Sequence, residues 1–387
     1  MTVLFLEWNS FCALDMIEAF QRCEHSVYRL SYEDGKDWEK QRIKIEAVWE
    51  KETIDAVFTF NYFPDVSDYC MEKQTKYIAW VYDCPYLNIL SYTTINPCNY
   101  IFLFDYGMYQ MLHDGGISTV HYLPLAANSR RLDGYNNIGE IRKKYSCDVS
   151  FVGSLYTEKK HNFYARFEKM DAFCKGYMDG IINAQLHIYG QNLMQDLVTD
   201  NLVNEMQKFY PTDPNGTTIA TPEYIYAEYV LNRRVTALER RNLLEAMSDK
   251  MITCLYTHEK NIAIGNVENR GPVDYYDVMP YVFKNSKVNL NITLRSIKTG
   301  IPLRAFDIMG CGGFLLSNYQ EEFLEYFEPN RDFVYYSDVE DAVEKAKFYY
   351  EHEDARRTIA VNGHKKVAEN HTFEDRVKQI EKVILTE

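Results

Sequence analysis

Short apolar segments rich in β-branched and aromatic residues alternate with amphipathic segments along the whole chain. In the first third these apolar segments are residues 3–8, 26–30, 56–60, 77–82, 100–104 and 120–125. Most of them are too continuously apolar for a strand with one face in water, so they predict strands that are buried on both faces. Strands that alternate with helices predict an α/β fold with a parallel, doubly wound sheet.

A second series of the same kind begins at Cys147, after a polar stretch at 128–144 that marks the expected domain boundary. Its predicted strands are the segment that opens at Cys147 and residues 186–190, 252–256, 288–293, 314–317 and 333–336. The sequence therefore predicts two Rossmann-like domains, 1–145 and 146–370. A helical insertion is expected at about 192–250, and a C-terminal helix at 371–387 is expected to pack back toward the first domain.

Composition excludes several classes of protein. The chain has 387 residues, with 56 acidic and 42 basic side chains and a net charge of −14. Binding of nucleic acid or of an anionic membrane by bulk electrostatics is therefore not expected. No apolar run reaches the roughly 18 residues of a membrane span, and the first nine residues contain Glu7 in place of a basic leader, so we expect a cytoplasmic protein. The nine scattered cysteines predict reduced core thiols and no metal site.

The window between Asp277 and Asp307 contains no acidic residue. Its basic residues are Lys284, Lys287, Arg295, Lys298 and Arg304. The order within the window is a strand, a basic loop that ends at Gly300, and a helix that begins near Pro302. The free amides and the positive dipole end of a helix beside basic side chains can bind phosphate. An ordinary surface loop with a few basic residues is the alternative interpretation.

Several common motifs are absent. The sequence has no G-x-x-x-x-G-K-[ST], G-x-G-x-x-G, G-x-S-x-G or H-E-x-x-H motif, which argues against P-loop NTPases, ordinary dinucleotide enzymes, serine hydrolases and zincins. It also has no Asp-x-Asp that could hold a metal-bound diphosphate. We therefore expect an anion site that uses neither a metal nor a cofactor. Arg233, Arg234, Arg240 and Arg241 of the insertion are predicted to form a solvated face.

The run Arg-Ala-Phe-Asp-Ile-Met-Gly-Cys-Gly-Gly-Phe-Leu-Leu-Ser-Asn at 304–318 resembles the C-terminal domain of GT-B glycosyltransferases, in the branch that includes the spore maturation protein CgeB. Residues 349–363 and 371–376 resemble the closing helices of that family, and 80–85 and 99–105 resemble its partner domain. The resemblance spans most of the chain. It implies a GT-B fold of two Rossmann-like domains that face each other across a cleft, with a nucleotide sugar held mainly by the second domain and an acceptor approached mainly from the first.

The same resemblance implies where the donor would bind. Asp307 stands where retaining GT-B enzymes place the second glutamate of their E-x7-E motif, which accepts from the ribose hydroxyls, and Thr299 replaces the first glutamate. The segment that contains Gly153 matches a V-G-R segment that grips the diphosphate, but Ser154 replaces the arginine. Lys159 stands at the position of the lysine in that family segment.

Basic residues near the predicted helix start are candidates to supply the missing charge. By their chemistry, and not by the family, these are Arg295, Lys298 and Arg304, which flank Thr299 and Gly300. Val273 and Met279 are candidates for contact with a nucleobase, although core packing is the alternative for Met279.

Two carboxylates are candidates for a general base, which an inverting enzyme would need. Asp83 and Asp105 each follow an apolar strand of the first domain. Either residue could instead cap the next helix or fix a turn. The sequence does not choose between them.

The sequence as a whole predicts a metal-independent glycosyltransferase of hexosyltransferase type. It would move a sugar from a nucleoside diphosphate donor, expected to be a UDP sugar, to a hydroxyl acceptor such as a protein or surface glycan. The departures at Ser154 and Thr299 keep an alternative open, a non-catalytic GT-B-like protein that binds a glycan or nucleotide in a structural or assembly role.

Overall fold

The computed structural model describes residues 1–33, 37–212 and 217–386. Packing divides the chain into two compact units. The first unit consists of Met1–Ala126, Pro214–Ala220 and His371–Glu387, and the second consists of Ala127–Asp213 and Thr221–Asn370. The sequence pattern placed the division after residue 145. Packing instead places 127–145 with the second unit, in which Ala127 and Leu132 lie directly against Gly310.

The first unit contains a parallel sheet that, among the described residues, has six strands. Its order is β2-β1-β3-β4-β5-β6. The strands are β1 (Thr2–Glu7), β2 (Ser26–Ser31), β3 (Ala56–Phe60), β4 (Lys76–Val81), β5 (Asn99–Leu103) and β6 (Val120–Tyr122). Every residue of β3 and β5 is buried, as expected for strands that are covered on both faces.

Helices cover this sheet. They are α1 (Ala13–Arg22), α2 (Trp38–Trp49), α3 (Pro64–Lys73), α4 (Tyr106–Asp114) and α17 (Phe373–Thr386), with 3₁₀ turns at Leu87–Leu90 and Tyr92–Ile95. The C-terminal helix α17 is tied to the segment after β6, because Arg376 is 1% exposed and its guanidinium donates to the carbonyls of Pro124 (2.7 Å) and Leu125 (3.0 Å).

The second unit contains another parallel sheet, also of six strands within the described residues. Its order is β12-β11-β10-β7-β8-β9. The strands are β7 (Cys147–Val152), β8 (Thr253–Tyr256), β9 (Glu268–Asn269), β10 (Ser286–Asn291), β11 (Leu315–Asn318) and β12 (Val334–Tyr336).

One predicted strand of this unit, residues 186–190, is wrong. The helix before it continues to Leu186, and the residues that follow join no sheet. The amide of Gln185 donates to the carbonyls of Ile188 (3.1 Å) and Gln191 (2.8 Å). A buried side chain therefore satisfies backbone groups that a neighbouring strand would otherwise have to satisfy.

The helices of the second unit fall into two sets. Those around the sheet are α5 (Ser129–Asp133), α6 (Gly139–Tyr145), α11 (Asn232–Ser248), α12 (Met279–Asn285), α13 (Leu303–Gly310), α14 (Phe323–Tyr326), α15 (Val339–Glu351) and α16 (Glu353–Asn370). The others are α7 (Ala172–Leu186), α8 (Met194–Leu197), α9 (Asp200–Gln207) and α10 (Pro222–Ile225), with a 3₁₀ turn at Phe163–Phe167 and a π-helical turn at Tyr226–Leu231.

This second set has its own hydrophobic core, which includes Phe167, Met178, Met206, Tyr226 and Leu231. The sheet has a separate core built on Val149, Val288, Leu290, Leu316 and Val334. This helical subdomain therefore differs in extent from the insertion predicted at about 192–250. It begins earlier, with Phe167 and α7, whereas Leu243, Leu244 and Met247 of α11 belong to the core of the sheet. Residues 213–216 lie outside the described chain, and 217–220 group with the first unit. Among the described residues, no helix combines the length and the apolarity that a bilayer crossing requires.

Candidate functional site

The carboxyl ends of β7 and β10 meet at one edge of the second sheet, and Arg304 on α13 lies against both. Its Nε donates to the carbonyl of Val152 (2.6 Å), and its Nη1 donates to Oδ1 of Asn291 (3.0 Å). Its Cζ is 4.8 Å from the ring centre of Phe151. A Cβ at Gly153 would lie 2.5 Å from Nη2 of Arg304, so only glycine leaves room for the guanidinium here.

Arg240 on α11 lies beside the same ring. It is 2% exposed, and its two terminal nitrogens donate to the carbonyls of Ser154 and Ile292, the latter at 2.6 Å. Its Cζ is 5.1 Å from the ring centre of Phe151, which it therefore shares with Arg304.

The predicted solvated face of arginines on α11 is wrong for Arg240. Arg233 and Arg234 are partly exposed and Arg241 is exposed, but Arg240 is buried. Helical spacing places it on the same face as the buried residues Thr236, Leu243, Leu244 and Met247.

The guanidiniums of Arg240 and Arg304 donate to carbonyl oxygens. Within the described residues, neither forms an ion pair with a carboxylate. Burial, and then the positive charge of Arg240, lower the pKa of Arg304 to about 9, which still leaves it charged at neutral pH. Carbonyl oxygens accept from the terminal nitrogens of Arg240, but its Nε is buried without a partner among the residues that the structure describes. Carbonyl dipoles do not cancel two positive charges, so a bound anion would stabilise the site.

Arg295 is less suited to bind an anion than the sequence suggested. It is 9% exposed, and its Nε pairs with Oε2 of Glu239 (2.9 Å), which is itself 2% exposed. Its Nη1 donates to the carbonyl of Ile188 (2.8 Å), and its guanidinium lies 4.1 Å from the ring centre of Tyr189. The carboxylate of Glu239 already neutralises this charge.

The loop that contains Lys298, Thr299 and Gly300 is held in place by the segment after β11. The hydroxyl of Thr299 donates to Oε1 of Glu322 (2.8 Å), and Nε2 of Gln320 donates to the carbonyl of Gly300 (3.1 Å). Lys298 is partly exposed. The helix α13 begins at Leu303, directly after Pro302, as the sequence predicted.

The loop after β7 is folded around Glu158. The hydroxyl of Ser154 donates to both carboxylate oxygens of Glu158 (2.8 Å each), and the amide of Leu155 donates to Oε1 (3.0 Å). Burial alone would raise the pKa of Glu158, but these hydrogen bonds lower it below its usual value. Ser154 thus shapes this loop, and Lys159 is exposed on it.

Asp307 lies one turn beyond Arg304 on α13. It is 2% exposed, and its Oδ1 accepts from the hydroxyl of Tyr275 (3.0 Å). Met279 opens α12 and is 8% exposed, which agrees with the core-packing alternative, whereas Val273 is partly exposed in the loop before it. Contact of Val273 or Met279 with a nucleobase stays a prediction.

The two candidate bases lie in the first unit, at the carboxyl edge of its sheet. Asp83 follows β4, is exposed, and accepts from Nδ2 of Asn61 (2.7 Å). Asp105 follows β5 and is 1% exposed; its Oδ1 accepts from the amide of Gly107 (3.2 Å), so it caps α4. The capping role that the sequence offered as an alternative therefore applies to Asp105.

Comparisons with known proteins agree with this architecture. Residues 233–382 match a family model described as glycosyl transferase-like. None of the curated proteins compared with the chain matches it. Similar solved structures include the sucrose-phosphate synthase of Thermosynechococcus elongatus, with a TM-score of 0.58 at 8% identity over 100% of this chain and 98% of that one.

Two further solved structures are similar along their whole length. Anabaena Alr3699/HepE in complex with UDP and glucose gives a TM-score of 0.56 at 8% identity and covers 100% of both chains. A glycosyltransferase from Rickettsia africae gives 0.55 at 10% identity, over 99% of this chain and 97% of that one. The chain has the α/β GT-B fold. At identities this low, the likeness shows the fold alone.

Sequence reasoning missed two residues of this GT-B chain, Arg240 and Glu239. A signal for them exists, because charged residues that share the apolar helical face of Val235, Leu243 and Met247 must be buried. A buried charge needs a partner or a ligand. The sequence does not reveal that Glu239 pairs with Arg295, or that Arg240 pairs with no carboxylate among the described residues.

A titration tests the charge distribution beside this site. Burial, and then the positive charges of Arg233 and Lys160, lower the pKa of His161, which lies in the loop after β7. Removal of the Arg233 charge by Arg233→Gln favours the imidazolium and is expected to raise the pKa of His161. Histidine NMR titration of both proteins measures the change, with Arg241→Gln as an exposed control on the same helix. An unchanged or lower pKa would contradict the expectation.

Proposed function

We propose that this protein is a glycosyltransferase that moves a sugar from a nucleoside diphosphate sugar to a hydroxyl acceptor. The observation that carries the proposal is the pair of unneutralised guanidiniums, Arg240 and Arg304, at the carboxyl edge of the second sheet. Ligands of open α/β sheets bind at this edge. A diphosphate supplies the negative charge that the pair lacks.

The chemistry follows from where charge develops. As the bond between the anomeric carbon and the diphosphate breaks, negative charge grows on the diphosphate oxygens. Arg304 and Arg240 are fixed by carbonyl hydrogen bonds before the donor arrives, so they stabilise that charge without reorganisation. Because two guanidiniums provide the positive charge, we propose a mechanism that is independent of metal ions.

UDP is the donor nucleotide that we propose. HepE, which has a similar fold, was solved with UDP and with UDP-glucose. The motif at 304–318 supports the further proposal that the chain belongs to the CgeB branch. We also propose a hexose as the transferred sugar, a protein or surface glycan as the acceptor, and the cytoplasm as the location. Within the nucleotide site we assign the ribose contact to Asp307, with Lys298 and the amides that follow Gly300 beside the diphosphate.

Asp83 fits the role of general base better than Asp105 does. A base has to reach an acceptor hydroxyl, and Asp83 is exposed. Asp105 is 1% exposed and one of its oxygens holds the start of α4. Under this assignment, Asp83→Asn abolishes transfer and leaves UDP affinity unchanged.

Incubation with a panel of UDP sugars tests the proposal. We expect one donor to release UDP, which mass spectrometry detects, and EDTA to leave the release unchanged. Loss of release in EDTA that Mg²⁺ restores would contradict metal independence. Tight binding of UDP without release from any donor, with any acceptor, would favour the non-catalytic alternative.

A further inference from the structure

Arginines and aromatic rings alternate outward from the diphosphate site along the helical subdomain. Arg233 lies 5.8 Å from the ring centre of Tyr156, the ring that also lies 4.8 Å from Arg240. Each guanidinium therefore shares a ring with the next one.

The outer end of the series repeats this pattern. Arg233 is 5.4 Å and Arg166 is 5.9 Å from the ring centre of Phe163, and Arg166 is 4.4 Å from that of Tyr210. We call Arg304, Arg240, Arg233 and Arg166, with the rings Phe151, Tyr156, Phe163 and Tyr210, the arginine ladder. In its inner half Arg240 is buried, and at its outer end Arg166 is exposed.

The outer arginines lack partners that other arginines of the chain have. Arg22, Arg42 and Arg270 each pair with a glutamate. Among the described residues, Arg166 and Arg233 form neither an ion pair nor a side-chain hydrogen bond, and Nε of Arg233 is buried without a partner. The chain has a net charge of −14, so it contains many acidic residues that could have paired with these arginines.

The rings determine what the outer arginines can bind. A guanidinium that lies over a ring is held in orientation, and its N–H edge remains available to an anion. Phe163 and Tyr210 also stack on each other, with ring centres 5.6 Å apart and planes 11° apart. These rings already contact guanidiniums and each other, so they are poorly placed to stack on a neutral sugar. The groups that can contact a ligand here are the N–H donors of the arginines, which bind phosphate or carboxylate.

The outer pair extends the series beyond the inner pair. Arg233 precedes Arg240 by seven residues on α11, about 10.5 Å along the helix axis, and Arg166 lies one ring further out, over Phe163 and Tyr210. The diphosphate of a sugar nucleotide carries about one negative charge per phosphate, which the inner pair matches, so the outer pair can take a second negative group.

We infer that the outer end of the arginine ladder, Arg166 and Arg233, binds an anionic group of the acceptor, so the acceptor is a hydroxyl compound that carries phosphate or carboxylate. This inference rests on the proposed function, because it takes the inner end as the donor site. It assigns to the helical subdomain the selection of an anionic glycan.

The test is a binding measurement that needs no turnover. With UDP present, the protein is applied to an array of neutral, uronate-bearing and phosphate-bearing oligosaccharides. We expect an anionic class to bind and the neutral glycans not to bind, and the class that binds distinguishes carboxylate from phosphate. The double variant R166Q/R233Q is expected to lose at least about tenfold in affinity, as expected for removal of charge-assisted hydrogen bonds.

Controls separate this inference from the proposed function. The variant R234Q/R241Q removes two charges from α11 outside the ladder and should bind anionic glycans like the wild type. UDP affinity of R166Q/R233Q, measured by calorimetry, should match that of the wild type. If UDP affinity falls with the glycan affinity, or only affinity for a UDP uronic acid falls, the outer end serves the donor and the inference is overturned.

Two other results also decide the question. If no anionic glycan binds the wild type, or if R166Q/R233Q binds it equally well, the acceptor assignment is overturned. If anionic glycans bind through Arg166 and Arg233 but the wild type does not bind UDP, the outer site stands as an anion site and the proposed function fails.

Discussion

Replacement of Arg304 by Met is expected to weaken UDP binding by roughly 100-fold. The substitution removes charge-assisted hydrogen bonds worth about 2–3 kcal/mol, and each 1.4 kcal/mol is a factor of about ten in affinity. Calorimetry with UDP measures the loss directly. Thermal unfolding gives a second readout, because UDP at about 100 times its Kd stabilises a binding protein by about 2.7 kcal/mol.

The Arg304→Met variant should lose UDP affinity without a comparable loss of folding stability. Arg304 donates to Val152 and Asn291, but it also lies beside the positive charge of Arg240. Met removes a repulsion together with two hydrogen bonds, so the free energy of unfolding should change little compared with the loss of UDP affinity. Arg304→Lys keeps the charge without the planar fork and is expected to lie between Met and the wild type in UDP affinity.

Arg356 provides the matched control. Like Arg304, it donates to carbonyl oxygens, in this case those of Tyr349 (2.7 Å) and Tyr350 (3.2 Å) at the end of α15, and it is 8% exposed. Arg356→Met should lower stability but leave UDP affinity unchanged. If R304M binds UDP as tightly as the wild type, Arg304 does not contact the diphosphate and the proposed donor site loses its central residue.

The sequence was most informative where local pattern decides structure. Strands such as β3 and β5 are apolar throughout because both faces are covered, so period and composition alone predicted them. The same reasoning failed at residues 186–190, where Gln185 and Arg295 hold the chain instead of a neighbouring strand. An apolar run shows that a segment is buried, but not which groups satisfy its backbone.

The site was predicted only in part, for a related reason. The acid-free window pointed to Arg304, and the family resemblance pointed to the segment that contains Gly153. Arg240 lies 64 residues earlier in the chain, and only tertiary packing brings its side chain to the ring of Phe151. Sequence composition also could not show that Arg295, inside the same basic loop, is neutralised by Glu239.

These pairings assign different roles to three neighbouring arginines. Arg295 has a carboxylate partner and ties the loop after β10 to α11, so its role is structural. In the part of the chain that the structure describes, Arg240 and Arg304 donate to carbonyl oxygens and pair with no carboxylate, so their charge remains available to a ligand. Glu239 therefore gives Arg295 a structural role, whereas Arg240 and Arg304 can bind a ligand. Substitution of Glu239 tests this difference.

Substitution of Glu239 by Gln is expected to destabilise the protein by about 3–5 kcal/mol, the cost of leaving a buried charge without its partner. Arg295 would lose the carboxylate that lies 2.9 Å from its Nε, and both residues are nearly inaccessible to water. Arg240, Arg295 and Arg304 would then share this region of the second unit without the carboxylate of Glu239. Urea unfolding of the wild type and the variant measures the difference.

The double variant E239Q/R295M shows whether the missing charge balance is the cause. Because it removes both charges, it should recover most of the lost stability, as buried ion pairs replaced by packed apolar groups often do. Recovery requires that Met fills the space beside Tyr189. A single E239Q variant as stable as the wild type would mean that Glu239 does not balance Arg295, and Arg295 would then be a third cation available to the diphosphate.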